Sequence, residues 1–335
     1  MQIITLILFS IGNTSTLLRK IPLISRGQRA GCYILKLLEL PSNFENSSGF
    51  IIPEYGNKTG GEDSGKILID INNLNFAYES NPNLRVLKNL NLKIYQNEVV
   101  SIVGESGSGK STLISLILNL YELRSPPPSS NNSTYNNGNC DMIKLLGVSI
   151  NSINPKWFHE NIAVVQQQHR FFNGTILENL TYCLPERAGY NVEGKQDVIW
   201  DALELVDMRE YVESLSDGLN TRMGDQNTSL FSGGQNQRMC IARALIRKPK
   251  ILVLDECTSA LDPENTRKIC DLIKDVLIEK LGMTVIIVTH AKELMKISDK
   301  IICLKDGYCI ETGDFETLMH RRKYLYNLIN SNFDI

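Results

Sequence analysis

The sequence predicts an α/β fold, and three features of the chain support this prediction. An apolar run at residues 99 to 103 is followed by a glycine-rich segment and then by apolar positions suited to a helix. Two further apolar runs, at 251 to 254 and 284 to 288, have the length of buried strands. With 335 residues, of which 42% are hydrophobic and 21% charged, the chain can bury one large core or two smaller ones.

The chain begins with the apolar segment MQIITLILFSIG. This segment has about half of the ~20 residues that a membrane-spanning helix requires. It lacks the preceding positive charge of a secretory signal, because Arg19 and Lys20 follow it. We interpret residues 1 to 40 as the end of a transmembrane helix and its cytoplasmic extension, where Arg26 and Arg29 add positive charge. A buried or disordered N-terminal segment is the alternative.

Two polar segments divide the rest of the chain. Residues 41 to 66 are rich in Gly, Ser, Asn and Pro and lack periodicity, so we interpret them as a linker to a folded domain at 67 to 335. Residues 125 to 140, SPPPSSNNSTYNNGNC, have a similar composition and predict a disordered surface insert within that domain.

Charge and cysteine content narrow the classes of function. A formal net charge of −2 argues against overall electrostatic attraction to nucleic acid, so no nucleic-acid partner is expected. The eight cysteines are scattered and form no CxxC pair, which is typical of free thiols in a reducing compartment and gives no metal-ligand cluster.

The segment GESGSGKSTL, residues 104 to 113, has the spacing of a P-loop. In this motif backbone N–H groups cradle phosphate oxygens, and the following helix directs its positive end at the same anion. Lys110 would reach the outer phosphates, and Ser111 would hold Mg²⁺; an ordinary Gly/Ser turn is the alternative. The predicted phosphate-binding residues are Gly104, Glu105, Ser106, Gly107, Ser108, Gly109, Lys110, Ser111 and Thr112.

A second apolar strand ends in two acids, in the segment KPKILVLDEC at 248 to 257. Such a strand supplies a magnesium-holding aspartate in nucleotide hydrolases that carry a P-loop, which makes Asp255 the partner of Ser111. Glu256 would then act on water as a general base. Two surface acids that cap the next helix are the alternative.

Residues 230 to 249, LFSGGQNQRMCIARALIRKP, place a serine and two glycines before another helix. Together with the P-loop, the LVLDE strand and the SALD stretch at 259 to 262, this segment resembles the nucleotide-binding domain of ATP-binding cassette (ABC) proteins over about residues 67 to 325. Phe231 stands where the family usually has leucine. The resemblance implies that ATP is also contacted by Ser232, Gly233, Gly234 and Gln235.

The same resemblance implies the architecture and the cofactors. We expect a P-loop NTPase with a RecA-like core, an antiparallel β subdomain and a helical subdomain at about residues 168 to 245. ATP and Mg²⁺ are the expected ligands.

The resemblance also assigns four further residues. Tyr78 in NFAYES would stack on adenine, with a packed strand tyrosine as the alternative. Gln167 lies between two other glutamines, and it would link Mg²⁺ and the attacking water to a membrane domain. His290, at the end of TVIIVTH, would contact the γ-phosphate, and Asp262 would signal to a partner domain. The predicted catalytic residues are Glu256, His290 and Gln167, and the predicted magnesium ligands are Ser111, Gln167 and Asp255.

Several segments narrow the resemblance to exporters of the multidrug and peptide type, known as subfamily B. These are FNGTILENL, the segment MGDQNTSL directly before FSGGQ, and residues 298 to 319. The segments SRGQRAGCYILKLLELP, DECTSALD and ICLKDG resemble the carboxyl-terminal half of fungal exporters of the a-factor mating pheromone.

The resemblance implies ATP hydrolysis that powers export of a peptide or hydrophobic substrate across a membrane. The expected partners are a second nucleotide-binding domain, which clasps ATP head to tail with this one, and the transmembrane domains of the same exporter. The chain would lie on the cytoplasmic face of that membrane. A soluble ABC ATPase acting on DNA or ribosomes and a regulatory cassette are the alternatives.

Overall fold

A computed structural model describes residues 2–38, 49–51, 66–121, 123, 142–182, 192–223, 231–258 and 261–331. The chain divides into two compact units, Met1–Ser48 and Gly49–Ile335. The predicted insert at 125 to 140 lies outside the described residues, as do most of the predicted linker and the first two residues of SALD.

The described residues of the first unit form one long helix, α1 (Gln2–Leu38), which has Pro22 in its interior. Apolar side chains such as Ile3 and Phe9 are exposed along this helix. Among the helices of the described residues, none combines the length and the apolar character needed to cross a membrane. The interpretation of residues 1 to 40 as the end of a transmembrane helix therefore stays a prediction.

The second unit contains twelve strands within the described residues. They are β1 (Ile67–Phe76), β2 (Leu87–Tyr95), β3 (Val99–Val103), β4 (Ile143–Leu145), β5 (Val148–Ser149), β6 (Ile162–Val165), β7 (Gly174–Thr175), β8 (Arg222–Met223), β9 (Ile251–Asp255), β10 (Thr284–Val288), β11 (Lys300–Lys305) and β12 (Tyr308–Gly313).

Its helices follow the same chain order. They are α2 (Lys110–Ile117), α3 (Pro155–Asn161), α4 (Ile176–Thr181), α5 (Val192–Leu205), α6 (Arg209–Glu213), α7 (Gly233–Leu245), α8 (Pro263–Asp271), α9 (Lys292–Ile297), α10 (Phe315–Arg321) and α11 (Tyr324–Ser331). Short 3₁₀ turns occupy Ile150–Ser152 and Gly218–Asn220, and a π-helical segment, Leu272–Lys280, continues α8.

A six-stranded sheet forms the centre of the second unit, in the order β12-β11-β3-β10-β9-β6. Its inner pairs are parallel, and β12 pairs with β11 antiparallel. The side chains of β3 and β10 are buried throughout, as expected for parallel strands covered on both faces. The α/β fold class predicted from these apolar runs is confirmed.

The side chains of β10 point alternately to the two faces of this sheet, and each face has its own hydrophobic cluster. Val285 and Ile287 belong to a cluster that includes buried residues of α5 and α7, whereas Ile286 and Val288 belong to a cluster with residues of β1, β2 and α2. Because successive strand residues point to opposite faces, one short strand contributes to both clusters.

A second sheet lies in the N-terminal half of this unit, in the order β2-β1-β4-β5. All three of its pairings are antiparallel. A short piece of the predicted linker also joins this part of the chain: the Phe50 N–H donates to the Ser152 carbonyl at 2.8 Å, and the Asn154 N–H donates to the Phe50 carbonyl at 3.1 Å. The linker therefore contacts the folded unit at Phe50.

Candidate functional site

The glycine-rich segment connects the carboxyl end of β3 to the first residue of α2, as the P-loop spacing predicts. At Gly104 an added Cβ would lie 2.2 Å from the Leu304 carbonyl oxygen, so the close approach of β11 excludes a side chain. At Gly109 the backbone has φ +102°, a conformation that favours glycine. Both positions therefore require glycine for the path of this loop.

The P-loop lysine is buried and bonded to its own loop. Lys110 Nζ donates to the carbonyl oxygens of Gly104 at 2.7 Å and Glu105 at 2.9 Å. Burial lowers the pKa of Lys110, while the nearby carboxylates of Glu256 and Asp255 act in the opposite direction. The ammonium is thus bonded to the P-loop, and the two carboxylates favour its charged form.

Two further P-loop features suit a bound phosphate. Within the described residues, no side chain caps the N-terminus of α2, whose first N–H groups are left for another acceptor. The Ser108 hydroxyl is buried, and it has no hydrogen-bond partner in the described part of the chain. Buried polar groups are normally paired, so a ligand oxygen would satisfy both features.

The predicted catalytic residues converge on Glu256, directly after β9. Gln167 Nε2 donates to Glu256 Oε2 at 2.9 Å, and His290 Nε2 lies 3.8 Å from Glu256 Oε1. Glu256 itself has φ +48°, an uncommon conformation for a residue other than glycine. Residues held in such conformations concentrate at functional sites, which supports a functional role for Glu256.

Burial shifts the pKa values of Asp255 and His290, the two groups beside Glu256. It raises the pKa of Asp255, an effect that Glu256 strengthens and Lys110 opposes. It lowers the pKa of His290, an effect that Lys110 strengthens and Glu256 opposes. The neutral imidazole of His290 is therefore favoured.

The predicted magnesium ligands are a hydroxyl, a carboxylate and an amide carbonyl, from Ser111, Asp255 and Gln167. Mg²⁺ prefers oxygen ligands and is commonly held by one or two carboxylates together with water and substrate phosphates. The Gln167 amide directs its nitrogen at Glu256, and its carbonyl oxygen is of the ligand type that Mg²⁺ accepts. This donor set fits Mg²⁺.

Tyr78 lies beside the P-loop helix and within an aromatic cluster. Its hydroxyl is 2.8 Å from Thr112 Oγ1. Its ring centroid lies 5.1 Å from that of Phe76 and 5.2 Å from that of Tyr121, both edge-on. The sequence reasoning did not single out Tyr121, although an aromatic residue shortly after the P-loop helix was a usable signal. Adenine stacking by Tyr78 remains a prediction.

The FSGGQ motif begins α7 with a reciprocal cap. Ser232 Oγ accepts from the Gln235 N–H at 3.3 Å, and Gln235 Oε1 accepts from the Ser232 N–H at 2.8 Å. Gly234 packs against α8, because an added Cβ there would lie 2.6 Å from Asn265 Cγ. The motif therefore forms a helix N-terminus, as expected, and Gly233 is its first helical residue.

Asp262 caps the next helix, α8. Its carboxylate accepts from the Asn265 backbone N–H and side-chain amide, each at 2.8 Å. These hydrogen bonds lower the pKa of Asp262. The structure gives Asp262 a local capping contact, and its role toward a partner domain stays a prediction.

Tyr324, on α11, is a P-loop neighbour that the sequence reasoning missed. The Glu105 N–H donates to the Tyr324 hydroxyl at 3.3 Å, and that hydroxyl donates to the Leu304 carbonyl at 3.4 Å. Because 219 residues separate Tyr324 from Glu105, no local pattern could have indicated this contact.

The parallel sheet, the P-loop and the two acids at the end of β9 define a P-loop nucleotide-binding domain. A family model described as ABC transporter matches residues 87–259, more than half of the chain. The chain belongs to the ABC transporter family, a family of ATPases, which confirms the predicted cassette.

Several members of the family that are similar to this chain are exporters. The Alpha-factor-transporting ATPase of Saccharomyces cerevisiae is 38% identical over 332 residues, which cover 98% of this chain and 23% of the relative. The Mating factor M secretion protein mam1 of Schizosaccharomyces pombe is 34% identical, over 98% of this chain and 22% of the relative. Multidrug resistance protein pgp-1 of Caenorhabditis elegans is 35% identical, over 78% of this chain and 18% of the relative. The predicted resemblance to pheromone and multidrug exporters is confirmed.

A solved structure agrees at the level of the fold. A bacterial Atm1-family ABC exporter with ATP bound superimposes with a TM-score of 0.71 at 23% identity, and the match covers 93% of this chain and 48% of that chain. This chain therefore has the fold of part of an exporter, and it spans less than a quarter of the length of the three relatives described above.

Proposed function

We propose that this chain binds ATP with Mg²⁺ and hydrolyses ATP, as the carboxyl-terminal cassette of a longer membrane exporter. The observation that carries the proposal is the convergence of Gln167 and His290 on Glu256, close to the P-loop lysine. A carboxylate that can accept a proton, beside a phosphate-binding loop and an amide that can orient water, suits hydrolysis of a phosphoanhydride.

Binding would use the P-loop lysine, the buried Ser108 hydroxyl and the N-terminus of α2. Lys110 Nζ would exchange its bonds to Gly104 and Glu105 for charge-assisted bonds to phosphate oxygens. The Ser108 hydroxyl and the first N–H groups of α2 would donate to the same anion. Tyr78, Glu105, Ser106 and Thr112 complete the proposed nucleotide contacts.

Hydrolysis would depend on Glu256 and on its two neighbours in space, Gln167 and His290. Glu256 would accept the proton of the attacking water, while Gln167 orients that water by hydrogen bonding. The neutral imidazole of His290 would donate to the γ-phosphate without placing a second cation beside Lys110. Mg²⁺, held by Ser111, Asp255 and Gln167, would neutralise charge on the phosphate oxygens.

A second cassette is the proposed partner. The N-terminus of its α7 would point at the γ-phosphate of ATP bound to the first cassette. The contacts would be Ser232, Gly233, Gly234 and Gln235, and Asp262 would lie at the boundary between the two cassettes. Because ADP lacks the γ-phosphate, ATP binding would favour the closed pair and hydrolysis would release it.

The transmembrane domains of the same exporter are the other proposed partner, on the cytoplasmic face of a membrane. Relatives named for transport of mating factors and for multidrug resistance support export of a peptide or hydrophobic substrate. A lipidated mating pheromone is the narrower substrate that we propose. The exposed rings of Phe172 and Tyr182, 4.5 Å apart near Gln167 in the sequence, are available for a contact with such domains.

Two other functions compete with this one. A soluble ABC ATPase that acts on DNA or ribosomes is disfavoured by the transporter names of the relatives. A regulatory cassette is disfavoured because Lys110, Asp255, Glu256 and His290 are all retained.

Phosphate release from ATP by the purified 335-residue chain tests the enzymatic part of the proposal. Release should require Mg²⁺, stop on addition of a chelator and rise more than linearly with protein concentration, because pairing is needed. Release of no phosphate at concentrations that permit pairing would contradict it. ATP-dependent uptake of a farnesylated peptide into inside-out vesicles that contain the complete exporter tests the substrate, with the unmodified peptide as the control.

A further inference from the structure

The segment that follows Gln167 is attached to α7, the helix that begins with the FSGGQ motif. His169 Nε2 forms a hydrogen bond with Gln237 Oε1 in a half-buried position. Gln237 is fully buried, and its Nε2 has no partner within the described residues. The imidazole of His169 is therefore the polar partner that the structure records for this buried side chain.

A second side chain of α7 contacts the same segment further along. Arg243 Nη1 donates to the Arg170 carbonyl at 3.0 Å, and the Arg243 guanidinium lies 5.4 Å from the centroid of the Phe171 ring. Three consecutive residues after Gln168 thus contact α7, through one side-chain hydrogen bond, one backbone hydrogen bond and one cation–π contact.

The far end of the segment is held by α4. The Phe172 N–H donates to Asn179 Oδ1 at 2.7 Å, and Asn179 Nδ2 donates to the Phe172 carbonyl at 3.0 Å. The segment is therefore fixed on the carboxyl side of His169, and Gln167, two residues before it, donates to Glu256.

We propose that His169 is a positioning residue, which acts through Gln167 on the attack of water at ATP. Its bond to Gln237 fixes the turn from which the Gln167 side chain reaches Glu256. It also makes the position of Gln167 depend on α7, so a movement of the FSGGQ helix reaches Glu256 through two side-chain hydrogen bonds. This inference rests on the proposed ATPase function.

The geometry favours a positioning role over simple structural support. Gln167 is exposed, and its hydrogen bond to Glu256 can form only where the backbone places the Gln167 side chain within reach. Small misplacements of a catalytic contact have large effects on rate, whereas they change the binding of the nucleotide little. Loss of the His169 bond should therefore lower turnover more than affinity.

The test uses three substitutions in the 335-residue chain. His169→Ala removes the bond to Gln237, and His169→Gln keeps an amide that can donate to it. Arg170→Ala is the matched control, because it removes an exposed side-chain bond to Gln168 and keeps the backbone carbonyl that Arg243 uses.

We expect His169→Ala to lower kcat about tenfold with nucleotide affinity changed less than about twofold, as for an interaction made mainly in the transition state. His169→Gln should recover most of the loss, and Arg170→Ala should keep the parent kcat. In a Gln167→Ala background, His169→Ala should cause no further loss, because residues that act as one unit are not additive.

The outcomes separate this inference from the proposed function. If the parent chain turns over ATP and His169→Ala keeps the parent kcat, the positioning role alone is overturned. The same follows if the losses from Gln167→Ala and His169→Ala are independent in the double variant. Absence of turnover in the parent would overturn the ATPase proposal and the catalytic part of this inference. Amide exchange of residues 166 to 172 is a readout besides activity: it should speed up in His169→Ala and stay unchanged in Arg170→Ala, and unchanged exchange in both would overturn the attachment.

Discussion

Two helices of this cassette begin at glycine-rich motifs suited to an anion, and their N-termini differ. At α2 the N-cap is Gly109, and the described residues include no side-chain cap. At α7 the N-cap is Ser232, whose hydroxyl and backbone N–H are both bonded to Gln235. The first N-terminus has no side-chain cap among the described residues, and the second has two backbone N–H groups, those of Ser232 and Gln235, bonded by its own side chains.

This difference suggests a division of roles between two sites that the sequence presents as alike. The P-loop, with a buried lysine and an unpaired buried hydroxyl, has the features of a complete phosphate site in a single chain. The FSGGQ end lacks a lysine in its motif, and two of its backbone N–H groups are already bonded to side chains. We expect it to contact nucleotide held by another cassette rather than to bind nucleotide alone.

Removal of the P-loop lysine should have the largest effect. Lys110→Ala should abolish detectable ATP binding, because charge-assisted hydrogen bonds contribute about 1.5–3 kcal/mol each and several depend on this ammonium. A nucleotide titration followed by fluorescence measures the change, with thermal unfolding as the check on folding. Unchanged affinity in a folded variant would remove Lys110 from the site.

Substitution of the proposed base should separate binding from chemistry. Glu256→Gln keeps the shape of the side chain but cannot accept a proton as a carboxylate does, so turnover should fall by about 10²–10⁴ while ATP affinity survives. With hydrolysis blocked, the ATP-dependent pair should persist, and the α7 N-terminus would remain at the P-loop of its partner. Sedimentation with ATP and with ADP measures the pairing; parent-level turnover would identify another group as the base.

The sequence was sufficient for the contiguous parts of the site. The P-loop residues, the two acids at the end of β9 and the helix start at FSGGQ are each encoded in a few neighbouring positions, where local backbone geometry determines the structure. Convergence on Glu256 was also predictable once the family was recognised, since Gln167 and His290 stand next to characteristic motifs.

Long-range contacts were beyond sequence reasoning. The bond between His169 and Gln237 joins residues 68 positions apart, and it depends on how α7 packs against the segment after β6. The strand order that places β3 between β11 and β10 is likewise set by pairing register and burial rather than by any local pattern.

Removal of the Ser232 cap at α7 tests the difference between the N-termini of α2 and α7, with a smaller expected effect. Ser232→Ala should lower the free energy of unfolding by about 1 kcal/mol, the typical effect of losing an N-cap. It should leave the ADP affinity of the isolated chain unchanged, because this N-terminus does not bind nucleotide alone. Ser115→Ala, inside α2, is the matched control, since its hydroxyl bonds back to the Ser111 carbonyl and caps no N-terminus. A loss of ADP affinity as large as that of Lys110→Ala would contradict the division of roles.

The smallest expected effect concerns the support of the P-loop by the carboxyl-terminal helix. The Tyr324 hydroxyl accepts from the Glu105 N–H and donates to the Leu304 carbonyl, next to the point where Gly104 meets β11. Both bonds are long, so their net contribution lies at the low end of the usual range, about 0.5–1 kcal/mol. Tyr324→Phe should therefore weaken ADP binding about two- to fivefold.

Tyr326→Phe is the matched control for this last change. Tyr326 lies on the same helix, and its ring faces the Arg322 guanidinium at 5.9 Å. Removal of its hydroxyl should leave ADP affinity at the parent value, as measured by isothermal titration. Equal losses in the two variants would mean that the tyrosines act through the general stability of α11. A loss confined to Tyr324→Phe would extend the P-loop site to a residue of the last helix, and would show that the open N-terminus of α2 depends on support from outside its own motif.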